Sequence, residues 1–496
     1  MEPNPDTDLL TFGRNVALRP GGAAASVPGE DLRIAFVTLG CPKNQVDSEV
    51  MLGHLDRASL RTTGDLDEAD VAVVNTCAFL ESAIEESIDT ILDVARRKTT
   101  GRLKKLVVAG CLTQRYGRDL LEELPEVDAV MGTGDIDRVV QVVRALTVPG
   151  RRPAEMPGDP DAEWPGDRPA GDQRGRVLST TVRSPYLKIS EGCSARCTFC
   201  IIPALRGPGR SRTLEDLRDE AEHLVAAGAR ELVLIAQDLT AYGADLYGAP
   251  ALDRLLHALD GVHGLRWIRL MYANPFHWTD ALLDAVSGLD KVVPYADMPI
   301  QHITDRMLKR MGRRTDRATI EALIGGLRRR VPDIALRTNV IAGFPGETDA
   351  DHRELLGFLR EARFDKLVAF PYSPEDGTAA VKLPDRVSPE TTRERVDAVL
   401  HQQAAISLEV NRAQIGRTLE VLIEAPAAGG GPARGRSVRE APEVDGGVWV
   451  AGTGIRTGAF YPVRVTGADV YDLIGECAGT GESGPRGDAH ELVVEG

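Results

Sequence analysis

The feature that most constrains the fold is an alternation of short apolar runs with amphipathic helical stretches. Ile34-Ala35-Phe36-Val37-Thr38-Leu39 ends at Gly40-Cys41, Val71-Ala72-Val73-Val74 at Asn75-Thr76-Cys77, and Leu106-Val107-Val108-Ala109 at Gly110-Cys111. Continuous β-branched runs bounded by Gly or Asn mark strands buried on both faces of a parallel sheet. Between them Ala83, Ile84, Ile88, Ile91, Leu92 and Ala95 recur at helical spacing, with charges on the opposite face. Strand–helix–strand alternation implies right-handed crossovers and an open doubly wound sheet, with ligands beyond the carboxyl ends of its strands. Each run ends in a cysteine. Cys41, Cys77 and Cys111 are therefore expected to converge on one edge, where three thiolates could hold a metal cluster. The competing reading is three inert thiols, since free cysteine is among the most buried residue types.

A second set of thiols is local. Cys193-Ser194-Ala195-Arg196-Cys197-Thr198-Phe199-Cys200 directly follows the apolar segment Tyr186–Ser190. Thiolate sulfur selects iron–sulfur clusters, zinc or cuprous copper. A structural zinc site needs a fourth protein ligand, usually from a second Cys or His pair, and none follows nearby. The CxxxCxxC spacing thus reads as three ligands around a four-iron cluster, leaving one iron open to a small molecule. A zinc site or chance clustering is the alternative.

The remaining chain divides by composition. Residues 1–30 are Pro-, Gly- and Ala-rich without periodicity and are expected to be disordered. Residues 31–148 hold the first α/β domain, and 149–176 form a linker, with eleven Pro or Gly among positions 149–175. Residues 177–411 repeat strand and helix. Expected strands are Tyr186–Ser190, Leu232–Ala236, Trp267–Tyr272, Val292–Asp297, Leu336–Ala342 and Leu367–Tyr372, and expected helices include Leu214–Ala227, Ala318–Arg330 and Asp349–Ala362. Thr213 and Asp216 form a capping pattern at the first of these helices. Six βα units are too few for a closed eight-stranded barrel, so a partial, open barrel is expected, with its chemistry at the carboxyl ends of the strands. A long helix, Pro389 to Gln414, leads to residues 412–477. There Leu419–Glu424, Val448–Ala451 and Tyr461–Val465 suggest a small all-β barrel. Residues 478–496 are polar and expected to be disordered.

Composition narrows the function classes. At 496 residues the chain calls for several domains, and its 43% apolar content is that of a globular protein. No run of about 18 apolar residues exists, which excludes a spanning helix. The acidic start Met1–Asp6 lacks the apolar region of a signal peptide. Seven cysteines argue against a disulfide framework. A cytoplasmic location, where thiols stay reduced, is expected. The net charge of −15 opposes bulk attraction to nucleic acid and suits a basic protein partner.

Two three-cysteine sets, a doubly wound first domain and a C-terminal β-barrel resemble the methylthiotransferases of the radical S-adenosylmethionine superfamily, across nearly all of residues 33–477. Gly40-Cys41-Pro42-Lys43-Asn44, Val74-Asn75-Thr76-Cys77 and Gly343-Phe344-Pro345-Gly346-Glu347 carry the resemblance further. One branch of that family modifies tRNA adenosine. The other, RimO-type, branch modifies an aspartate of small-subunit ribosomal protein number twelve. Pro299-Ile300-Gln301-His302, Ala236-Gln237-Asp238 with Tyr242-Gly243, Glu85-Glu86-Ser87-Ile88-Asp89 and Tyr372-Ser373-Pro374-Glu375-Asp376-Gly377-Thr378 look like the ribosomal-protein branch. Residues 412–477 hold seven arginines against eight acids, which lacks the basic footprint of a tRNA-gripping module. The Gly/Arg-rich stretch near 427–440 departs from the pattern as an insertion.

The resemblance implies two 4Fe-4S clusters and S-adenosylmethionine. The cluster on Cys193, Cys197 and Cys200 would cleave the cofactor to a 5′-deoxyadenosyl radical, which takes hydrogen from the β-carbon of the substrate aspartate. The cluster on Cys41, Cys77 and Cys111 would carry the sulfur, methylated by a second S-adenosylmethionine and then transferred. It further implies a sulfur donor and an electron donor such as flavodoxin or ferredoxin. Phe199, Gly343 and Glu347 are candidates for cofactor contacts, with sealing of the loop by Phe199 and a turn role for Gly343 as the plainer readings. No acid or base residue is assigned. Lys188 or Arg337 are candidates for the substrate carboxylate, with an internal salt bridge as the plainer reading. His302 is expected to be structural and Cys477 a plain thiol. Both clusters must face one cavity, which requires the first domain to dock over the barrel mouth. The alternatives are a tRNA adenosine methylthiotransferase and an iron–sulfur protein that binds ribosomes without catalysis.

Overall fold

The computed structural model describes residues 32–146, 175–179, 182–427 and 431–481. Residues 1–30, linker positions 149–174 and the tail beyond 481 lie outside the described residues, so the expectations placed on them are not addressed.

The first sheet comprises β1 (Arg33–Thr38), β2 (Arg61–Thr63), β3 (Val71–Thr76), β4 (Lys105–Gly110) and β5 (Ala129–Met131). All are parallel, in the order β2-β1-β3-β4-β5. Side chains alternate between two cores because successive residues of a strand point to opposite faces. Ala35, Ala72, Val74, Leu106 and Val108 pack under the helices Glu81–Thr100 and Cys111–Glu123. Ile34, Phe36, Val71, Val73 and Val107 pack under Pro42–Arg57 and Val139–Leu146. The order reverses between β1 and β3, the kind of switch point where doubly wound sheets place ligands.

The central sheet begins with β6 (Tyr186–Lys188). The chain then leaves it to form a hairpin of β7 (Ser190–Glu191) and β8 (Arg210–Ser211), which cuts the expected strand Tyr186–Ser190 short. Next come β9 (Glu231–Ile235), β10 (Trp267–Leu270), β11 (Val292–Asp297), β12 (Ala335–Ala342) and β13 (Lys366–Pro371). They form one open parallel sheet in the order β13-β12-β11-β10-β9-β6. Its helices start where capping side chains end the extended backbone. Thr213 accepts from Asp216 N, and Thr348 and Asp351 form a reciprocal capping box.

The inner face of this open sheet is filled by the flanking domains. Tyr186, Val233, Ile235, Trp267, Val293 and Tyr295 form one core with Val46 and Val50 of helix Pro42–Arg57, and with Leu422, Ala441 and Phe460 from the C-terminal domain. At roughly 1.5–3 kcal/mol per buried side chain of this size, the contact holds three domains as one body.

Helix Pro389–Arg412, capped by Ser388 with proline in its first turn, runs to the C-terminal barrel. That barrel is β14 (Thr418–Ala425), β15 (Ala433–Arg436), β16 (Val448–Ala451), β17 (Phe460–Ala468) and β18 (Leu473–Cys477), closed in the order β14-β15-β16-β18-β17. The stretch read as an insertion near 427–440 thus contains β15. Gly435 there passes so close to β14 that a Cβ would stand 2.5 Å from Leu422 O. Among the described residues no helix is long and apolar enough to cross a membrane.

Candidate active site at the junction of two sheet edges

Cys41 precedes helix Pro42–Arg57, Cys77 follows β3, and Cys111 opens helix Cys111–Glu123, so all three stand at the carboxyl edge of the first sheet. Backbone contacts draw the three turns together. Gly40, at φ +87°, lies so near Cys77 that a Cβ would meet its Cβ at 2.7 Å and its Sγ at 3.2 Å. Gly110, at φ +97°, leaves 2.3 Å to Asn75 Oδ1. Only glycine meets both demands. Asn44 Nδ2 donates to Leu39 O (3.0 Å) and Thr76 O (2.9 Å), and Ser87 Oγ donates to Cys77 O (2.9 Å). Cys77 and Cys111 are buried and Cys41 is half-buried. Burial pushes the thiols of Cys77 and Cys111 up, and the Arg206 guanidinium partly offsets this at Cys111.

The second set lies in the loop after β7. Thr198 N donates to Met311 O (2.9 Å) and Thr198 Oγ1 to Arg310 O (3.0 Å), which pins the loop to the end of helix Asp305–Arg310. Two donors address the sulfurs: Ala195 N to Cys193 Sγ (3.4 Å) and Arg313 Nη1 to Cys197 Sγ (3.5 Å). Burial pushes Cys193 up to about 11 and Cys200 to about 12. A cavity of about 200 Å³ runs beside Cys193 and Cys197, bordered by Asp238, Asn274, His277 and Arg313.

The short helix Ile202–Arg206 follows Cys200 and ends in a residue that joins the two sets. Arg206 Nη2 donates to Asn44 Oδ1 (2.5 Å), and Nη1 donates to Asp47 Oδ2 (3.0 Å) and Glu191 Oε1 (2.9 Å). Lys188 Nζ bonds Asp47 and reaches Glu191 Oε2 at 2.8 Å. Arg176, at the expected end of the linker, is buried and pairs with Glu49 (2.8 Å) and Glu220 (3.1 Å). Farther out, Arg115 reaches Glu375 (2.7 Å) and Thr133 Oγ1 donates to Leu205 O (2.8 Å). The first domain therefore sits over the barrel mouth. Lys43, on the turn after Cys41, rests 3.0 Å above the Tyr272 ring, and burial pulls its ammonium down to about 8.

The other residues singled out from the sequence fall as follows. Phe199 meets Phe344 edge-on at 6.4 Å and closes a small apolar cluster under the loop. Gly343, at φ +77°, has Thr392 Oγ1 2.1 Å from where a Cβ would stand. Its N–H donates to the Glu347 carboxylate. Glu347 is buried and also faces Arg395 (3.1 Å), His302 (3.5 Å) and His352 (3.7 Å). It is turned into the protein and braces its own loop. Burial works to raise it, but its hydrogen bonds and the histidines hold it down at about 2. His302 Nδ1 accepts from Ile303 N (2.8 Å) and Thr304 N (3.2 Å), a structural role. Lys188 and Arg337 are held by internal salt bridges, Arg337 by Asp297 (2.9 Å) and Asp445 (3.3 Å). Cys477 Sγ donates to Gly479 O (3.0 Å), far along the C-terminal barrel.

Arg206, Asn44 and Arg313 are the participants that the sequence reading missed. Asn44 lay in a quoted motif, but nothing local marks an arginine whose partners come from another domain.

Known proteins place these features. Residues 33–132 match the Uncharacterized protein family UPF0004, residues 187–359 the Radical SAM superfamily, and residues 415–478 the TRAM domain. The ribosomal protein uS12 methylthiotransferase RimO of Geobacter sulfurreducens is 46% identical over 90% of this chain and 98% of that protein. The chain belongs to the RimO family. Its namesake from Pelotomaculum thermopropionicum is 44% identical over 90% of this chain and 99% of its own. Among solved structures, the radical S-adenosylmethionine methyltransferase TsrM from Kitasatospora setae shares the fold, at a TM-score of 0.53 and 15% identity over 75% of this chain and 89% of that one. The expected architecture stands: a doubly wound first domain, an open parallel radical SAM sheet and a small C-terminal barrel. As a RimO family member the chain is an enzyme of the radical S-adenosylmethionine methylthiotransferase kind.

Proposed function

We propose that this protein places a methylthio group on the β-carbon of an aspartate in ribosomal protein uS12, consuming a sulfur donor and two molecules of S-adenosylmethionine. The observation that carries this reading is the apposition of two all-thiol sets, each at a carboxyl sheet edge and bridged by Arg206 and Asn44.

The donor set fits the groups required. Both sets offer soft sulfur alone, and a tetrahedral zinc site wants four ligands. Among the described residues no three or more His, Cys, Asp or Glu gather as the ligands of a single ion do. Thiols that each take a different iron of a larger cluster stand farther apart. Cys193, Cys197 and Cys200 would hold one 4Fe-4S cluster and Cys41, Cys77 and Cys111 the other. When bound, the first supplies the electron that cleaves S-adenosylmethionine and the second carries the sulfur to be transferred.

The chain's own residues do the rest. Arg313 and Ala195 N stabilise negative charge on the sulfurs of Cys197 and Cys193. Phe199 seals the loop from beneath. Gly343 offers backbone without a side chain, while Glu347 acts from behind by fixing the Gly343 N–H. The salt bridges around Asp47 and Glu191 hold the two edges together and exclude water. A low-potential carrier such as flavodoxin or ferredoxin delivers the electron, in the cytoplasm.

The substrate is protein and not tRNA. Three arginines of the C-terminal domain are consumed by docking: Arg417 on Asp333 (2.8 Å), Arg436 on Glu231 (2.7 Å), and Arg439 on Asp365. That leaves four arginines against eight acids for phosphate contacts. Anaerobic reconstitution tests the enzyme reading. About eight irons per chain and formation of 5′-deoxyadenosine are expected. About three irons or fewer, with no 5′-deoxyadenosine, would leave only a ribosome-binding iron–sulfur protein.

A further inference from the structure

The junction between the two cysteine sets holds several buried cations, and all but one are matched. Lys188 is bonded by Asp47 and Glu191, Arg206 by the same two carboxylates, and Arg337 by Asp297 and Asp445. Lys43 is 5% exposed and, among the described residues, has no carboxylate within salt-bridge distance. Besides the Cys41 thiol, the acids that act on it are engaged elsewhere. Asp297 Oδ2 accepts from Tyr272 N (3.0 Å) while its other oxygen takes Arg337, and Glu191 also accepts from Gln237 (3.1 Å).

What supports the ammonium is the face of Tyr272, 3.0 Å below it. A ring face attracts a cation but does not replace a counterion for a buried charge. Tyr272 itself stands at φ +62°, a left-handed backbone that a bulky side chain seldom adopts. A buried cation that no carboxylate pairs, two residues from Cys41, and a strained aromatic therefore occur at one spot. Such local conflicts persist where the surrounding structure enforces them, and they gather at ligand sites. The spot is also well placed. Lys43 lies in the first turn of helix Pro42–Arg57, directly after Cys41, and Tyr272 follows β10 at the carboxyl edge of the central sheet.

We propose that Lys43 is the substrate-reading cation, whose ammonium, held on the Tyr272 ring between the two cysteine sets, pairs with the side-chain carboxylate of the target aspartate. This rests on the aspartate-methylthiolation reading. A carboxylate supplies the partner that no carboxylate of this chain does, and fixes which side chain of the substrate enters the junction. An asparagine lacks that charge.

The test uses the fully reconstituted enzyme, uS12, and uS12 peptides carrying Asp or Asn at the target position. The wild type is expected to bind the Asp peptide about tenfold more tightly than the Asn peptide, the scale of one charge-assisted hydrogen bond. Lys43→Met should lose that preference and raise KM for uS12 by a similar factor, with iron content and affinity for S-adenosylmethionine close to wild type. Lys43→Arg should keep most of the preference. A Lys43→Met enzyme with normal iron that still prefers Asp overturns the proposal. So does one whose affinity for S-adenosylmethionine falls instead, which would give the carboxylate to the cofactor. If the wild type leaves uS12 unmodified, the function reading itself fails; an active wild type indifferent to Asp and Asn overturns only the role of Lys43.

Discussion

At the scale of single residues, the proposed function divides the six cysteines of the two sets by task. Replacing Cys193, Cys197 and Cys200 with alanine should halve the iron content and abolish formation of 5′-deoxyadenosine. Replacing Cys41, Cys77 and Cys111 should also halve the iron but spare cofactor cleavage, with loss confined to sulfur transfer. Product analysis by chromatography separates the two patterns, and equal loss of both activities in both variants would contradict separate roles. The cysteines were legible because spacing and strand-end position are properties of the chain itself. Arg206 and Lys43 were not, because a buried cation is explained by what packs against it. Arg206 is read only once Asn44 and Asp47 of the first domain stand opposite. Glu347 was legible as a residue of interest, but its carboxylate turns inward to Gly343, His302 and Arg395.

At the scale of elements, the C-terminal barrel is fastened to the central sheet by a buried chain of charges. Glu231 of β9 takes Arg269 Nε at 2.6 Å and Arg436 Nη2 at 2.7 Å, and Arg436 continues to Glu424 at 2.6 Å. Burial alone would raise the Glu231 carboxyl, but the two guanidinium groups outweigh it and lower it from 4.5 to about 2. A depressed folded-state value stabilises above the unfolded value, and that stability is lost as pH falls through the folded one. The protein should therefore lose on the order of 3 kcal/mol from this group between about pH 4.5 and 2. Urea unfolding of Glu231→Gln should start about 3–5 kcal/mol lower at neutral pH and show less of that acid loss. An unchanged neutral midpoint would contradict the account. The same chain of charges explains why β15 was read as an insertion. Arg436 looks like a surface residue until Glu231 of the central sheet neutralises it. β2 and β5 escaped for a different reason: each is three residues long, and the Arg-Thr-Thr of β2 carries no apolar signal.

At the scale of the whole molecule, the open central sheet is completed by its neighbours. Val46 and Val50 enter from one side and Leu422 and Phe460 from the other, so neither flanking domain has a fully covered surface without the centre. Cluster-free protein should unfold in a single calorimetric step, and three resolved transitions would contradict the shared core. Strand and helix periodicity revealed the three units, but the way they share one interior is a contact between distant stretches and leaves no periodic trace. That shared interior is what brings the two thiol sets to one junction, as required for a radical made at one to meet sulfur held at the other. The most direct measurement of this claim is the intact mass of uS12 after incubation with the reconstituted enzyme, S-adenosylmethionine, a sulfur donor and reductant. The account predicts the gain of one methylthio group in place of one hydrogen, located on an aspartate by fragmentation. Unmodified uS12, with methylthio-adenosine appearing instead in tRNA added to the same reaction, would contradict it.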